Sequence, residues 1–314
     1  MPSCTKAKHI AKCLQMAILF EVSANKPGNV NFVVGFEGTR VEHFLVSAVA
    51  AAPSFEEAAR RGILVKNGRL PLNRVDIGQL MKTCVADIDT WQSGGNTLLG
   101  TVILFTPVAV AAGMTPIKGN AFDLAELRRN IKLVVEATTA EDAISLYEAI
   151  DIAKPSGLNG APDLDVRAVD SKKRIFEENI SLFEIFNIAA DYDDICYEWV
   201  NNYSITFDLA YPHLMELLKN KSLNMAILHT FLEVLAQRPD TFISRKIGAA
   251  KALEVSAYAR QTLLLGGVET ARGKNSIITF DKKLRNSGNN YNPGTTADII
   301  ATALAFSTLN GYRV

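Results

Sequence analysis

Five short stretches of this chain carry residue types that could do chemistry. Glu21 stands one helical turn before Asn25-Lys26-Pro27-Gly28-Asn29. Ser93-Gly94-Gly95-Asn96-Thr97 runs through Leu98-Leu99-Gly100 into an uncharged apolar segment. Asp191-Tyr192-Asp193-Asp194 is an acidic run, and Arg238-Pro239-Asp240-Thr241 is followed closely by Arg245 and Lys246. The last is Asn292-Pro293-Gly294-Thr295-Thr296-Ala297-Asp298. Carboxylates such as Glu21, Asp240 and Asp298 suit proton transfer, stabilisation of developing positive charge, or a hard divalent cation, with Asp240 and Asp298 as metal candidates. Lys26, Arg245 and Lys246 suit phosphate. Gly28, Gly95 and Gly294 let a backbone approach a ligand, and Asn29, Asn96, Thr97, Asn292 and Thr295 add polar contacts.

Each stretch also has a plainer reading. Lys26 beside Pro-Gly suits a solvated turn, and the glycines before Leu98 suit an ordinary turn into a core helix. Asp240 or Thr241 suits a helix N-cap, Asp298 a charge favoured by the helix dipole, and Asp191 to Asp194 a solvated helical face. Arg245 and Lys246 fall early in a helix expected from Phe242, where cations oppose the macrodipole unless an anion offsets them.

Helices must position these residues. Apolar residues Ile10, Leu14 and Ile18 follow helical spacing from Thr5 to Ser23, and Pro27-Gly28 ends that segment. Thr39-Arg-Val-Glu42 predicts a capping box, with a helix from near Arg40 that Pro53 kinks or ends and a further helix stopping at Gly62. Asp76 to Trp91 is helical, and Thr101 to Met114 has no polar stripe, so it must be covered on every side. Asp123 to Thr138 and Thr139 to Ala153 predict two more helices. Lys154 to Lys173, with Pro155, Gly157, Gly160, Pro162, Asp163, Asp165 and Arg167, predicts a long functional or mobile loop. Ile175 to Trp199, Leu214 to Lys219, Leu223 to Leu235 and Ala250 to Gly266 read as helices, and Ile299 to Phe306 as a second apolar one. The expectation is an all-α, single-domain globule spanning 1–314, with ten or more helices around two buried apolar helices.

Composition narrows the partners. The 314 residues carry 33 Lys plus Arg against 33 Asp plus Glu, so no bulk field argues for nucleic acid or a membrane surface. Cys4, Cys13, Cys84 and Cys196 lack the spacing of a zinc cluster or disulfide framework, which points to a reducing cytoplasm. The longest apolar run is too short to span a bilayer. Four histidines, none in a glycine-rich loop, make a His-centred hydrolase a poor fit. The sequence leaves homo-oligomerisation open.

Glu21 with Lys26-Pro-Gly-Asn29, Gly95-Asn-Thr97, Pro239-Asp-Thr241 with Arg245, and Asn292 to Asp298 occur in an order and spacing that resembles the triphosphoribosyl-dephospho-CoA synthase family. The similarity covers nearly the whole chain. It implies an all-helical transferase that takes ATP and 3'-dephospho-CoA, expels adenine, and joins the triphosphoribosyl unit to a ribose hydroxyl of the acceptor. The product would be the precursor of the prosthetic group of citrate lyase or malonate decarboxylase. Glu21, Asp240 or Asp298 would then stabilise positive charge on the ribose or deprotonate the acceptor. Lys26, Arg245, Lys246 and an acid-held Mg2+ would meet the triphosphate, with the amides near Gly94 to Thr97 as a further cradle. Where better known members follow Asn-Thr with His-Lys-Gly, this chain has Leu98-Leu99-Gly100, which marks a divergent branch and admits a related nucleotide or cofactor hydroxyl as acceptor. The alternatives are a Mg2+-dependent hydrolase of an ADP-ribosyl or nucleotide bond, and a non-catalytic helical nucleotide-binding protein.

Overall fold

A computed structural model describes residues 3–158, 161, 163–286 and 288–314; Gly160 and Pro162 of the expected long loop lie outside the described residues. Of the described residues, 71% are helical, in fifteen α-helices and three short 3-10 or π turns, with one two-stranded hairpin, which makes it an all-α globule as expected. At its centre are the two apolar helices, α4 (Leu99–Met114) and α15 (Gly294–Leu309). All of α4 except Gly100 is buried, and α15 is buried continuously from Ile299 to Leu309. Sequences without a polar stripe have no face to offer water, so neighbours enclose them.

The first shell is α1 (Ser3–Ser23), which packs on α15, and α2 (Val41–Lys66), which packs on both α1 and α4. Helix α2 continues through Pro53 instead of ending there. The proline forfeits one hydrogen bond, to the carbonyl of Val49, a solvent-exposed residue. Gly62, the expected stop, lies inside α2 for a different reason. A Cβ there would sit 1.9 Å from the Val110 carbonyl oxygen, and one on Gly113 would sit 2.2 Å from the Ala59 oxygen. The two glycines let the backbones of α2 and α4 touch. The expected Thr39–Glu42 capping box is also replaced: His43 Nδ1 accepts from the Arg40 amide at 3.0 Å, and Thr39 donates to the Gly94 carbonyl at 2.8 Å. Thr39 thus fastens the helix start to the glycine-rich loop.

Pro107 sits inside α4 and cannot donate to the carbonyl of Ile103. Trp199 Nε1 supplies the donor at 3.2 Å, and the Tyr203 hydroxyl donates to the next carbonyl, Leu104, at 2.8 Å. A buried backbone oxygen is therefore answered from another part of the chain, as burial requires.

The remaining elements wrap this centre: α3 (Ile77–Trp91), hairpin β1 (Ile117–Lys118) with β2 (Ala121–Phe122), α5 (Leu124–Glu136) and α6 (Ala140–Ala153). The Thr139–Asp142 capping box of α6 is present as expected. The helix expected over Ile175 to Trp199 is three: α7 (Ser171–Glu177), α8 (Leu182–Ala189) and α9 (Asp194–Val200). Asn179 at φ +51° ends the first, a Ser181–Glu184 capping box starts the second, and Asp193 caps the third by accepting from the Ile195 amide. A π-helical stretch, Ile205–Ala210, leads into α10 (Tyr211–Leu218). Then come α11 (Leu223–Gln237), α12 (Thr241–Ile247), α13 (Ala249–Leu264) and α14 (Ala271–Arg285), the last not among the expected helices. Among the described residues no helix is long and apolar enough to cross a membrane.

Candidate active site

The N-termini of α4 and α15 and the C-terminal end of α1 meet at a cleft of about 470 Å³, within the usual range for small-molecule sites. Ten of the residues singled out from the sequence line it: Glu21, Asn29, Gly95, Asn96, Thr97, Arg245, Asn292, Gly294, Thr295 and Asp298. Lys26, Gly28, Asp240 and Lys246 do not, and each has a local reason.

Lys26 is neither solvated nor free for phosphate. Its ammonium is buried, ion-paired to the Glu21 carboxylate at 2.9 Å and bonded to the Glu21 and Ala24 carbonyls. An ammonium has three donors, and all three are used. The Gly28 amide donates to Asp281 at 2.8 Å, and its φ of +73° is one that glycine adopts without strain. Asp240 is a latch. One oxygen caps α12 through the Ile243 amide at 3.0 Å, and the other accepts from the Thr296 amide and hydroxyl at 2.7 and 2.8 Å. Its carboxylate therefore ties α12 to α15 beneath the cleft floor. Lys246 lies over the Phe242 ring at 4.0 Å and donates to the Asn289 carbonyl at 2.7 Å, while burial lowers its pKa to about 8.

Arg245 and Lys246 do not oppose the macrodipole. Helix α12 ends at Ile247, with Gly248 at φ +97°, so both cations occupy the last turn, where the dipole favours them. Arg245 pairs with Asp193 of the acidic run, which is therefore not a solvated face, and Asp194 is buried against Arg238. That run sits at a break between helices and forms part of the cleft through Asp193.

The polar lining divides by what is already bonded. Asn96 Oδ1 caps α4 by accepting from the Leu99 amide at 3.0 Å, and the Gly94 amide donates to Gln92. Thr97 shares a 2.7 Å hydrogen bond with Ser47, and Thr295 one of 3.2 Å with Thr241. Asn29 Nδ2 donates to Asn292 Oδ1 at 2.7 Å, yet its own Oδ1 is buried and has no partner among the described residues. An enclosed carboxamide oxygen without a partner is a polar group whose desolvation is left uncompensated behind the cleft wall.

Asp298 accepts from the Thr101 hydroxyl across the α4–α15 junction. A Cβ on Gly100 would stand 2.1 Å from Asp298 Oδ2, so only glycine at 100 leaves room for this carboxyl. Burial pushes the Asp298 pKa from 3.8 to about 8, and the charges of Glu21 and Asp240 push the same way. The Thr101 hydrogen bonds oppose this and do not prevail. A half-buried acid that titrates near neutrality in a cleft is suited to proton transfer.

Sequence reasoning passed over Lys154, which lines the cleft from the left-handed C-cap of α6 (φ +45°) and makes no ion pair among the described residues. It also passed over an apolar wall from α6, α8 and α9. Lys154 opens the irregular segment flagged from its Pro and Gly content; nothing local marked the wall. For a metal, the described residues hold no cluster of three or more His, Cys, Asp or Glu suited to one. Glu21 and Asp298 both line the cleft, and their carboxylate oxygens are the donor type that suits a hard cation carried mainly by substrate phosphates.

A sequence model of the CitG family, ATP:dephospho-CoA triphosphoribosyl transferase, matches residues 7–314. A crystal structure from Archaeoglobus fulgidus with the provisional name triphosphoribosyl-dephospho-CoA synthase superposes with a TM-score of 0.63 at 22% identity. The match covers 87% of the present chain and 100% of that one, and at this identity it speaks for the fold. No curated protein matches the chain.

Proposed function

The chain belongs to the ATP:dephospho-CoA triphosphoribosyl transferase family, and on that premise we propose that it uses ATP as donor, releases adenine and transfers the triphosphoribosyl unit to a ribose hydroxyl of 3'-dephospho-CoA. The observation that carries this reading is the Asp298 carboxyl, held between Thr101 and Gly100 beside Glu21 and able to change protonation near pH 8.

The transfer forms one bond, from the acceptor oxygen to C1' of the donor ribose, and breaks one, from C1' to the adenine nitrogen. The bonding pair leaves with adenine, and the acceptor hydroxyl loses its proton. Asp298 in its ionised form takes that proton. Its pKa near 8 makes it a far better base than an ordinary carboxylate, which matches general-base work. Glu21, anchored by Lys26, presents negative charge toward the cleft where positive charge develops on the ribose. Arg245 and Lys154 face the triphosphate, together with the N-termini of α4 and α15. Mg2+ carried by the phosphates, with Glu21 as a protein donor, would neutralise charge on the triphosphate and leave Asp298 free to take the proton.

Incubation of the protein with ATP, Mg2+ and dephospho-CoA should release free adenine in step with a heavier acceptor, read by chromatography and mass spectrometry. Asp298→Asn should lower kcat by about 10²- to 10⁴-fold. Phosphate or AMP without adenine would overturn the reading. Adenine released equally well without acceptor would make the protein a hydrolase.

A further inference from the structure

The cleft has a second wall of different chemistry. It is built from Leu146 and Ile150 of α6, Ile188 and Ala189 of α8, Ile195 of α9, and Val166 of the segment that follows α6. Three of the polar groups along it are already committed. The Tyr147 hydroxyl donates to the Leu164 carbonyl at 2.5 Å, Asp163 is bridged to Arg174 at 2.8 Å, and Asp165 to Arg167 at 3.3 Å. Lys154 is the unpaired cation there among the described residues. Apart from Lys154, which the proposed reaction commits to the triphosphate, the wall offers a phosphate chain no charge to compensate its lost hydration. It also offers the hydrogen-bonding edge of a purine few partners.

The two substrates of the proposed reaction differ in one large feature. Outside its base, ATP is all sugar and phosphate. Dephospho-CoA carries in addition a pantetheine arm that is long, uncharged and bears a gem-dimethyl group. Resting on the functional reading above, we propose that the wall formed by α6, α8, α9 and residues 163–166 holds the pantetheine arm of dephospho-CoA and selects that acceptor over nucleotides lacking an arm. The gem-dimethyl group and methylenes pack against Ile150, Ile188 and Ala189, while the two amides keep water on the open side of the cleft.

Calorimetric titration of the full chain with ATP and, separately, dephospho-CoA tests this in the wild type, Ile150→Ala and Ala189→Trp. Ile150→Ala removes apolar surface without adding bulk, so it remains informative if the tryptophan variant fails to fold. Both variants should weaken dephospho-CoA about ten-fold or more and leave ATP affinity within about two-fold. An equal loss for both ligands would place the base, not the arm, on this wall and overturn the assignment. So would unchanged dephospho-CoA affinity in Ile150→Ala. If the wild type bound neither nucleotide, the functional reading would fall together with this one; if it released adenine normally while Ile150→Ala kept full acceptor affinity, only this one would fall.

Discussion

Replacing Asp298 by asparagine should make the protein more stable as it becomes less active, and the gain should depend on pH in a defined way. In the unfolded chain this carboxyl titrates near its ordinary 3.8, and in the folded protein near 8. Between those values the folded state keeps a proton that the unfolded state has shed. Stability of the wild type therefore falls as pH rises from about 4 to about 8, by up to roughly 1.4 kcal/mol per pH unit, and levels off above. The full displacement corresponds to on the order of 5 kcal/mol above pH 8, an upper bound because water in the cleft reaches the half-buried carboxyl. Asparagine has no such proton. It gives back about 1 to 2 kcal/mol, because one carboxyl oxygen becomes an amide nitrogen that cannot accept a hydrogen bond in this half-buried setting. The expected net effect is near zero at pH 5 and a gain of a few kcal/mol at pH 8.5. Urea unfolding of both proteins, followed by far-ultraviolet circular dichroism at half-unit pH intervals, reads it directly. Glu198, also raised by burial to about 7, titrates in both proteins and cancels from the difference. A stability difference that stays flat from pH 5 to 8.5 would refute the claim that Asp298 is held protonated by its surroundings.

Two further outcomes follow from contacts in the core. Lys26→Ala strands the carboxylate of Glu21, whose side chain is only 10% exposed, and should cost about 3 to 5 kcal/mol in urea unfolding, with most of it recovered in the Lys26→Met/Glu21→Gln double variant. Gly62→Ala places a methyl 1.9 Å from the Val110 carbonyl oxygen, so α2 and α4 must separate; a loss of more than about 2 kcal/mol is expected, and an unchanged melting temperature would mean the two backbones do not touch.

The features legible from sequence are those whose cause is local. Helices α4 and α15 announce their burial because every face of each is apolar, whatever lies around them. Thr139 with Asp142 marks a helix start because the two groups that satisfy its amides are three residues apart. Asp240 was legible as a cap for the same reason, through the Ile243 amide. Its second bond, to Thr296, was not, since that partner lies 56 residues away.

The sequence by itself determined an all-helical chain, two greasy central helices, and the polar motifs that end up near their N-termini. Only the tertiary structure decided which of those motifs face the cleft. It turned Lys26 inward onto Glu21, moved Asp193 from a presumed solvated face to a partner of Arg245, and set Asp298 against a glycine that leaves it room. The physical reason is that a side chain's charge state and availability depend on burial and on partners supplied by distant segments. Spacing within one segment reports helix period and capping, and neither tells which other segment will lie across from it.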